Sequence, residues 1–190
     1  MQPRRAWAKF WMQFAGHAGF GRVATRMAEF AFPPYKGRQV LARLSEKGYV
    51  ASTARVAVPN LKLGKHVFIG DDVMLFSQPK DTRVELGDEV YIHKGTIIEM
   101  GAGGSVAIGA RTHIQPRCQF AGYLGSISIG EDVQIAPGCG FYPYNHRMAA
   151  GVPMRHQPLE TKGGIVIDTG GLTGEDAGID EAMAKQTLAA

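Results

Sequence analysis

Residues 84–135 read VELGDEVYIHKGTIIEMGAGGSVAIGARTHIQPRCQFAGYLGSISIGEDVQI, and within them one short phrase recurs: an aliphatic residue, a glycine, two variable residues, then a small or β-branched one. It stands as Leu86-Gly87-x-x-Val90, Ile108-Gly109-x-x-Thr112 and Ile129-Gly130-x-x-Val133, and upstream as Leu63-Gly64-x-x-Val67 and Ile69-Gly70-x-x-Val73. A new phrase can begin two residues after the last one ends, so the period is six. Three phrases make eighteen. The steps Leu63 to Leu86, Leu86 to Ile108, Ile108 to Ile129 and Ile129 to Ile167 are 23, 22, 21 and 38 residues, which is eighteen plus 5, 4, 3 and 20.

If three phrases form one turn of a triangular solenoid, the excesses are loops pushed out at corners and the inward register is kept. The columns then align: Leu86, Ile108, Ile129 and Ile167; Ile69, Ile92, Ile114 and Ile135; Leu75, Ile98, Phe120 and Phe141; and the small residues Val73, Thr96, Cys118 and Cys139. A single turn cannot bury its apolar face alone, so turns stack about 4.8 Å apart around one narrow core. The phrase glycine is expected at a tight corner where a side chain would be strained. An antiparallel sandwich would instead alternate with period two and show turn signals every 8 to 12 residues.

The remainder of the chain agrees with one such domain. It has 190 residues, 45% of them hydrophobic and 20% charged, with 25 Gly and only 2 Cys. That is too apolar for disorder, and no apolar run approaches the roughly 20 residues that span a bilayer. Two cysteines make no disulfide framework, so a reducing, cytoplasmic setting is expected. The 21 Lys and Arg against 17 Asp and Glu leave a net charge of +4, without the stripe of cations and stacking aromatics that nucleic acid demands.

Residues 1–50 read as N-terminal helices, 51–180 as the solenoid with an inserted loop at 142–162, and 181–190 as a short helical tail. Trp7, Phe10, Trp11 and Phe14 fall at i, i+3, i+4 and i+7, and Val23, Met27 and Phe30 continue at helical spacing past a break near Gly19 and Gly21. Lys9, Gln13 and His17 interrupt what a signal peptide would keep apolar, so this segment reads as part of the mature protein. Pro33-Pro34 stops it, and Gly37 to Lys47 is expected to form a second helix closed by Gly48. These helices are expected to cover the open first turn. The alternative sets Trp7, Phe10 and Trp11, flanked by Arg4, Arg5 and Lys9, in a membrane interface as a peripheral contact.

The stretch SISIGEDVQIAPGCGFYPYNHRMAAGVPMRHQPLETKGGIVI, residues 126–167, resembles the hexapeptide-repeat acyltransferases, and in particular their sugar and polysaccharide O-acetyltransferase branch. The likeness extends over roughly residues 61–180 and lies in an IGEDVQIAP turn, an Asn-His pair, a loop and a KGGIVI strand that resumes the winding. It implies an all-β fold, a left-handed parallel β-helix of about five coils. It also implies a homotrimer with sites between subunits, acetyl-CoA as co-substrate and His146 as catalytic base.

An imidazole suits that task, because its unperturbed pKa is already near neutrality. Tyr144, Asn145, Arg147, Arg155 and His156 share the loop and are the candidate acceptor-binding residues, with Asn145 also a candidate oxyanion donor. Lys162, Gly163, Gly164 and Gly174 are the candidate contacts for acetyl-CoA. His93 and His113 flank inward positions and are expected to point outward. They are a coil apart and no H-x4-H pair accompanies them, so no metal is expected; a zinc-dependent hydratase resembling the gamma-class carbonic anhydrases is a minor alternative.

Past KGGIVI the resemblance weakens. Leu172 stands where the family has Trp, and Gly171 and Thr173 take inward positions the family fills with larger aliphatics. In the family the later turns hold most of acetyl-CoA. A loosely packed end therefore leaves three readings open: a naturally short enzyme, an altered C-terminus without activity, or a non-catalytic trimeric scaffold that binds a partner.

Overall fold

Successive side chains of a strand point to opposite faces, so a short strand can bury only one row, and the buried rows are the columns expected from the spacing. In the computed structural model, which describes residues 3–161 and 163–173, all sixteen strands of the winding pair in parallel and stack into three sheets. The first sheet holds Tyr49–Val50, Phe68–Ile69, Tyr91–Ile92, His113–Ile114, Gln134–Ile135 and Leu172–Thr173. The second holds Arg55–Ala57, Met74–Ser77, Ile97–Met100, Gln119–Gly122 and Gly140–Phe141, and the third Asn60–Leu63, Arg83–Leu86, Ser105–Ile108, Ser126–Ile129 and Ile165–Ile167.

The register pairs Leu63 with Leu86, Leu86 with Ile108, Ile108 with Ile129, and Ile129 with Ile167, four windings of one parallel β-solenoid, consistent with a left-handed β-helix. Ile69, Ile92, Ile114 and Ile135 are likewise partners in sequence, as are Leu75, Ile98, Phe120 and Phe141. Phe120 and Phe141 stack face to face with centroids 4.7 Å apart. Cys118 is buried, its thiol donating toward the carbonyls of Gln115 and Ala136, and no disulfide joins it to Cys139.

The excess loops leave at a corner, as expected, whereas the phrase glycines have a different role from the expected one. All four excesses leave the prism at the same corner, between the second and third sheets: Ser77 to Arg83, Met100 to Ser105, Gly122 to Ser126 and Phe141 to Ile165. The phrase glycines, in turn, do not bend the chain. The left-handed residue comes two positions later and is a polar side chain, as at His66, Glu89, Arg111 and Asp132 with φ of 56, 54, 57 and 57°. The glycine is needed because coils touch there: a Cβ on Gly109 would lie 2.5 Å from the carbonyl of Gly130.

The N-terminal region forms α1 (Pro3–Met12) and α2 (Gly19–Glu29). The second helix expected over Gly37 to Lys47 is a 3-10 turn, Tyr35–Arg38, followed by one α-turn, α3 (Gln39–Ala42). It stops there because the solenoid takes its end: His66 Nδ1 donates to the Ala42 carbonyl, and Arg43 Nε donates to the Tyr91 hydroxyl. This segment lies along the outer side of the first sheet, over a ladder of Tyr49, Phe68, Tyr91 and His113. At the first turn the buried Glu29 carboxylate accepts hydrogen bonds from the Tyr49 hydroxyl and from the Ser52 N–H and hydroxyl, and it pairs with Arg38, which also meets Asp71 at 2.7 Å. The expected tail at 181–190 lies outside the described residues.

Candidate functional site

The loop that carries the candidate residues is the largest of the four excesses, and it is built as a hairpin. Tyr144–His146 pairs antiparallel with Leu159–Thr161, setting Tyr144 opposite Thr161, Asn145 opposite Glu160 and His146 opposite Leu159. Its neck is tied to the solenoid by Thr161, whose hydroxyl lies 2.6 Å from the Pro143 carbonyl and accepts the Gly163 N–H at 3.1 Å. Its tip is tied by Gln157, whose buried side chain accepts from the Ala149 N–H at 2.6 Å and donates to the carbonyls of Val152 and Ala149 at 2.8 and 3.3 Å. A polar side chain that satisfies three main-chain groups replaces the core that a surface loop lacks.

Beside the hairpin, along Gly163 and Gly164 and the first residue of the Ile165–Ile167 strand, lies a groove of about 560 Å³. His146 lines it with Tyr144, Asn145, Arg147, Gly163 and Gly164, so six of the candidate residues come together. The His146 imidazole is exposed and makes no hydrogen bond among the described residues. Its main-chain N–H donates to Asn145 Oδ1 at 2.8 Å, so only the amide NH2 of Asn145 remains to meet an oxyanion.

Arg155 and His156 do not line the groove. The hairpin carries them to its tip, where Arg155 Nε donates to His156 Nε2 at 3.0 Å. Lys162 and Gly174 lie outside the described residues.

Sequence reasoning missed Tyr142, Glu160 and Ile165, which also line the groove, and the Gln157 and Thr161 ties. Nothing in a polar loop sequence marks a glutamine that will turn back on its own main chain. The tyrosines had a signal, because Tyr123 and Tyr142 each flank the same corner one coil apart. Tyr144 meets Tyr123 edge-on at 5.5 Å and Tyr142 at 6.3 Å, while the Tyr142 hydroxyl donates to Gln119 Oε1 at 2.8 Å. Burial, reinforced by Glu99 and by the other two phenols, raises the Tyr144 pKa, so that hydroxyl remains a neutral donor.

Both solenoid histidines point outward from the winding, as expected, but the outer face is covered at His93. His93 is off the inward column, yet the Tyr35–Ala42 segment buries it; Phe68 and Tyr35 pack against its ring at centroid distances of 5.7 and 5.8 Å. His113 stacks on Tyr91 at 4.6 Å. Among the described residues no group of three or more His, Cys, Asp and Glu side chains is arranged to hold a metal ion, and no helix is long and apolar enough to cross a membrane.

No family model matches the chain, and no curated protein does. Among solved structures, the serine acetyltransferase isoform 3 of Entamoeba histolytica, in complex with cysteine, is 13% identical with a TM-score of 0.24. That match covers 90% of this chain, which spans 57% of the length of that protein. So slight a likeness bears on neither activity nor substrate.

Proposed function

We propose that the chain is an acetyl-CoA-dependent O-acetyltransferase acting on a carbohydrate hydroxyl, with His146 as the general base. The observation that carries this reading is the His146 imidazole, exposed and without a hydrogen-bond partner among the described residues, on the wall of a groove that a braced hairpin forms beside the solenoid. The resemblance of residues 126–167 to the sugar O-acetyltransferases supplies the reaction class.

The groove suits a thin, flexible donor arm, because Gly163 and Gly164 present main chain without side chains along one side. Lys162 and Gly174 complete the proposed contact set. Acetyl-CoA, when bound, supplies a thioester already activated toward attack. His146 takes the proton of the acceptor hydroxyl as its oxygen bonds to the acyl carbon, then returns that proton to the departing sulfur, so no acyl-enzyme is needed. Arg147, Tyr144 and Asn145 offer donors for the sugar hydroxyls and for negative charge on the acyl oxygen. Arg155 and His156, at the hairpin tip, reach the acceptor only where it extends past the groove. The reading includes a homotrimer in which a neighbouring copy closes the open side of each groove.

The test is a titration of acetyl-CoA against wild type and His146→Ala, followed by turnover with a panel of glycans, read as free thiol released. The substitution touches no core residue, so the variant is expected to fold and bind acetyl-CoA as wild type does while turnover falls about 10²- to 10⁴-fold. A wild-type chain that binds no acetyl-CoA would instead be a scaffold.

A further inference from the structure

The two N-terminal helices invert the burial expected of a soluble hairpin. The side chains they bury are small and medium: Ala8, Met12, Ala24, Thr25 and Ala28 are all fully buried. The large rings point the other way, with Trp7 42%, Phe10 54%, Phe14 46%, Phe20 64% and Phe30 91% exposed. A Leu or Phe left singly on a surface needs no explanation, but these residues are contiguous. Trp7 meets Trp11, Trp11 meets Phe10, Phe10 meets Phe14 and Phe14 meets Phe20, edge-on, at centroid distances of 5.8, 5.4, 5.7 and 6.4 Å. At the other end Trp7 and Phe30 border an open apolar groove of about 840 Å³, rimmed by Arg4.

Charge decides what covers this surface. The first 28 residues hold Arg4, Arg5, Lys9, Arg22 and Arg26 and no acidic residue. The first acid is Glu29, and its carboxylate is buried against Tyr49, Ser52 and Arg38, where no partner can reach it. All five cations are exposed. A second copy of this surface would bring like charges together, whereas an anionic bilayer satisfies both features: aromatic rings settle among the headgroups and acyl ends, and Lys and Arg meet the lipid phosphates.

We infer that α1 and α2 form a peripheral membrane anchor that seats the aromatic ridge from Phe20 to Phe30 in an anionic lipid surface. The inference does not depend on the proposed reaction. The helix pair cannot drop away freely, since Trp7 Nε1 donates to the Met27 carbonyl at 2.8 Å and Glu29 ties α2 to the first turn. Docking the helices therefore docks the solenoid.

The chain's two tryptophans, Trp7 and Trp11, are both in α1, so intrinsic tryptophan emission reports on this helix, through the exposed Trp7 and the partly buried Trp11. The experiment uses the full chain with vesicles of phosphatidylcholine containing about one-third phosphatidylglycerol, and with phosphatidylcholine alone, read by flotation and by emission. Wild type is expected to float with the anionic vesicles with a blue-shifted emission, and to lose most binding at high salt or on neutral vesicles. Arg4→Gln with Arg5→Gln is expected to weaken partitioning on the order of 25-fold. Phe20→Ser with Phe30→Ser, at positions too exposed to support the fold, is expected to abolish the blue shift. Folded wild type that ignores anionic vesicles overturns the inference. So does unaltered binding by the Phe20, Phe30 variant, or a self-association that this variant loses while vesicle binding is absent.

Discussion

The side-chain nitrogen of Gln39 lies 3.4 Å from Nε2 of His93, and the other ring nitrogen of His93 is buried without a hydrogen-bond partner among the described residues. An amide NH2 can only donate, so Nε2 accepts and the ring proton sits on Nδ1. A second proton would place an N–H against the amide NH2 that meets Nε2, while the Nδ1–H already lacks an acceptor among the described residues. Burial, followed by the charges of His113 and Lys36, pushes the His93 pKa down to about 4.

The pH dependence of stability follows from that shift. Between about pH 6.5 and pH 4 the unfolded chain binds a proton at this residue that the folded chain refuses, so stability is fully present above pH 6.5 and is lost as pH falls through the window. His113, lowered chiefly by burial and also by Arg43, acts in the same direction. Urea denaturation should show about 2 to 3 kcal/mol less stability at pH 4.5 than at pH 7.5 from His93 alone. His93→Phe, which keeps a ring beside Phe68, should remove most of that difference. A variant with the wild-type slope would show that other groups set it.

The second prediction separates two reasons for glycine. Gly109 has an ordinary φ, but a Cβ would lie 2.5 Å from the carbonyl carbon and oxygen of Gly130, main chain of the next coil that cannot swing aside. Gly138 has φ of 76° and nothing within 4 Å of the place a Cβ would take, so only backbone strain opposes a side chain there. Gly109→Ala should cost more than about 2 kcal/mol by prying coils apart, and Gly138→Ala about 1 kcal/mol. Thermal unfolding of both variants checks the ranking, and equal losses would refute the close-approach account.

This contrast also marks how far the residues alone can be read. The eighteen-residue step and its columns are legible because each inward residue answers to an identical constraint one coil away, and Leu86, Ile108 and Ile129 meet it with nearly the same side chain. The corner chemistry is ambiguous, since glycine signals both a left-handed turn and a close approach, and the true left-handed positions carry His66, Glu89, Arg111 and Asp132. His146 stands out by the motif around it, and its neighbours Tyr144, Asn145 and Arg147 by proximity in the chain. The reversal of the hairpin separates Arg155 and His156 from the groove, and no periodicity in residues 142–162 announces it. The cover over His93 is hidden for another reason: it depends on a contact between residues 39 and 93, and long-range packing leaves no local pattern.

The last prediction concerns the brace inside the hairpin. Gln157 is 9% exposed, and its side chain makes three hydrogen bonds to the main chain of Ala149 and Val152, on the segment that follows His146 and Arg147. Removing that amide leaves the Ala149 N–H and the Val152 carbonyl to water, so the hairpin tip should open locally while the coils, to which these bonds do not reach, stay closed. Gln157→Ala is therefore expected to shift global stability by less than about 1 kcal/mol and to raise amide hydrogen exchange across residues 147–157 by at least about tenfold. If the hairpin positions His146 as proposed, turnover falls while acetyl-CoA affinity, set mainly at Gly163 and Gly164, changes little. Unchanged exchange in this segment would show that the neck at Thr161, rather than the tip, holds the hairpin in place.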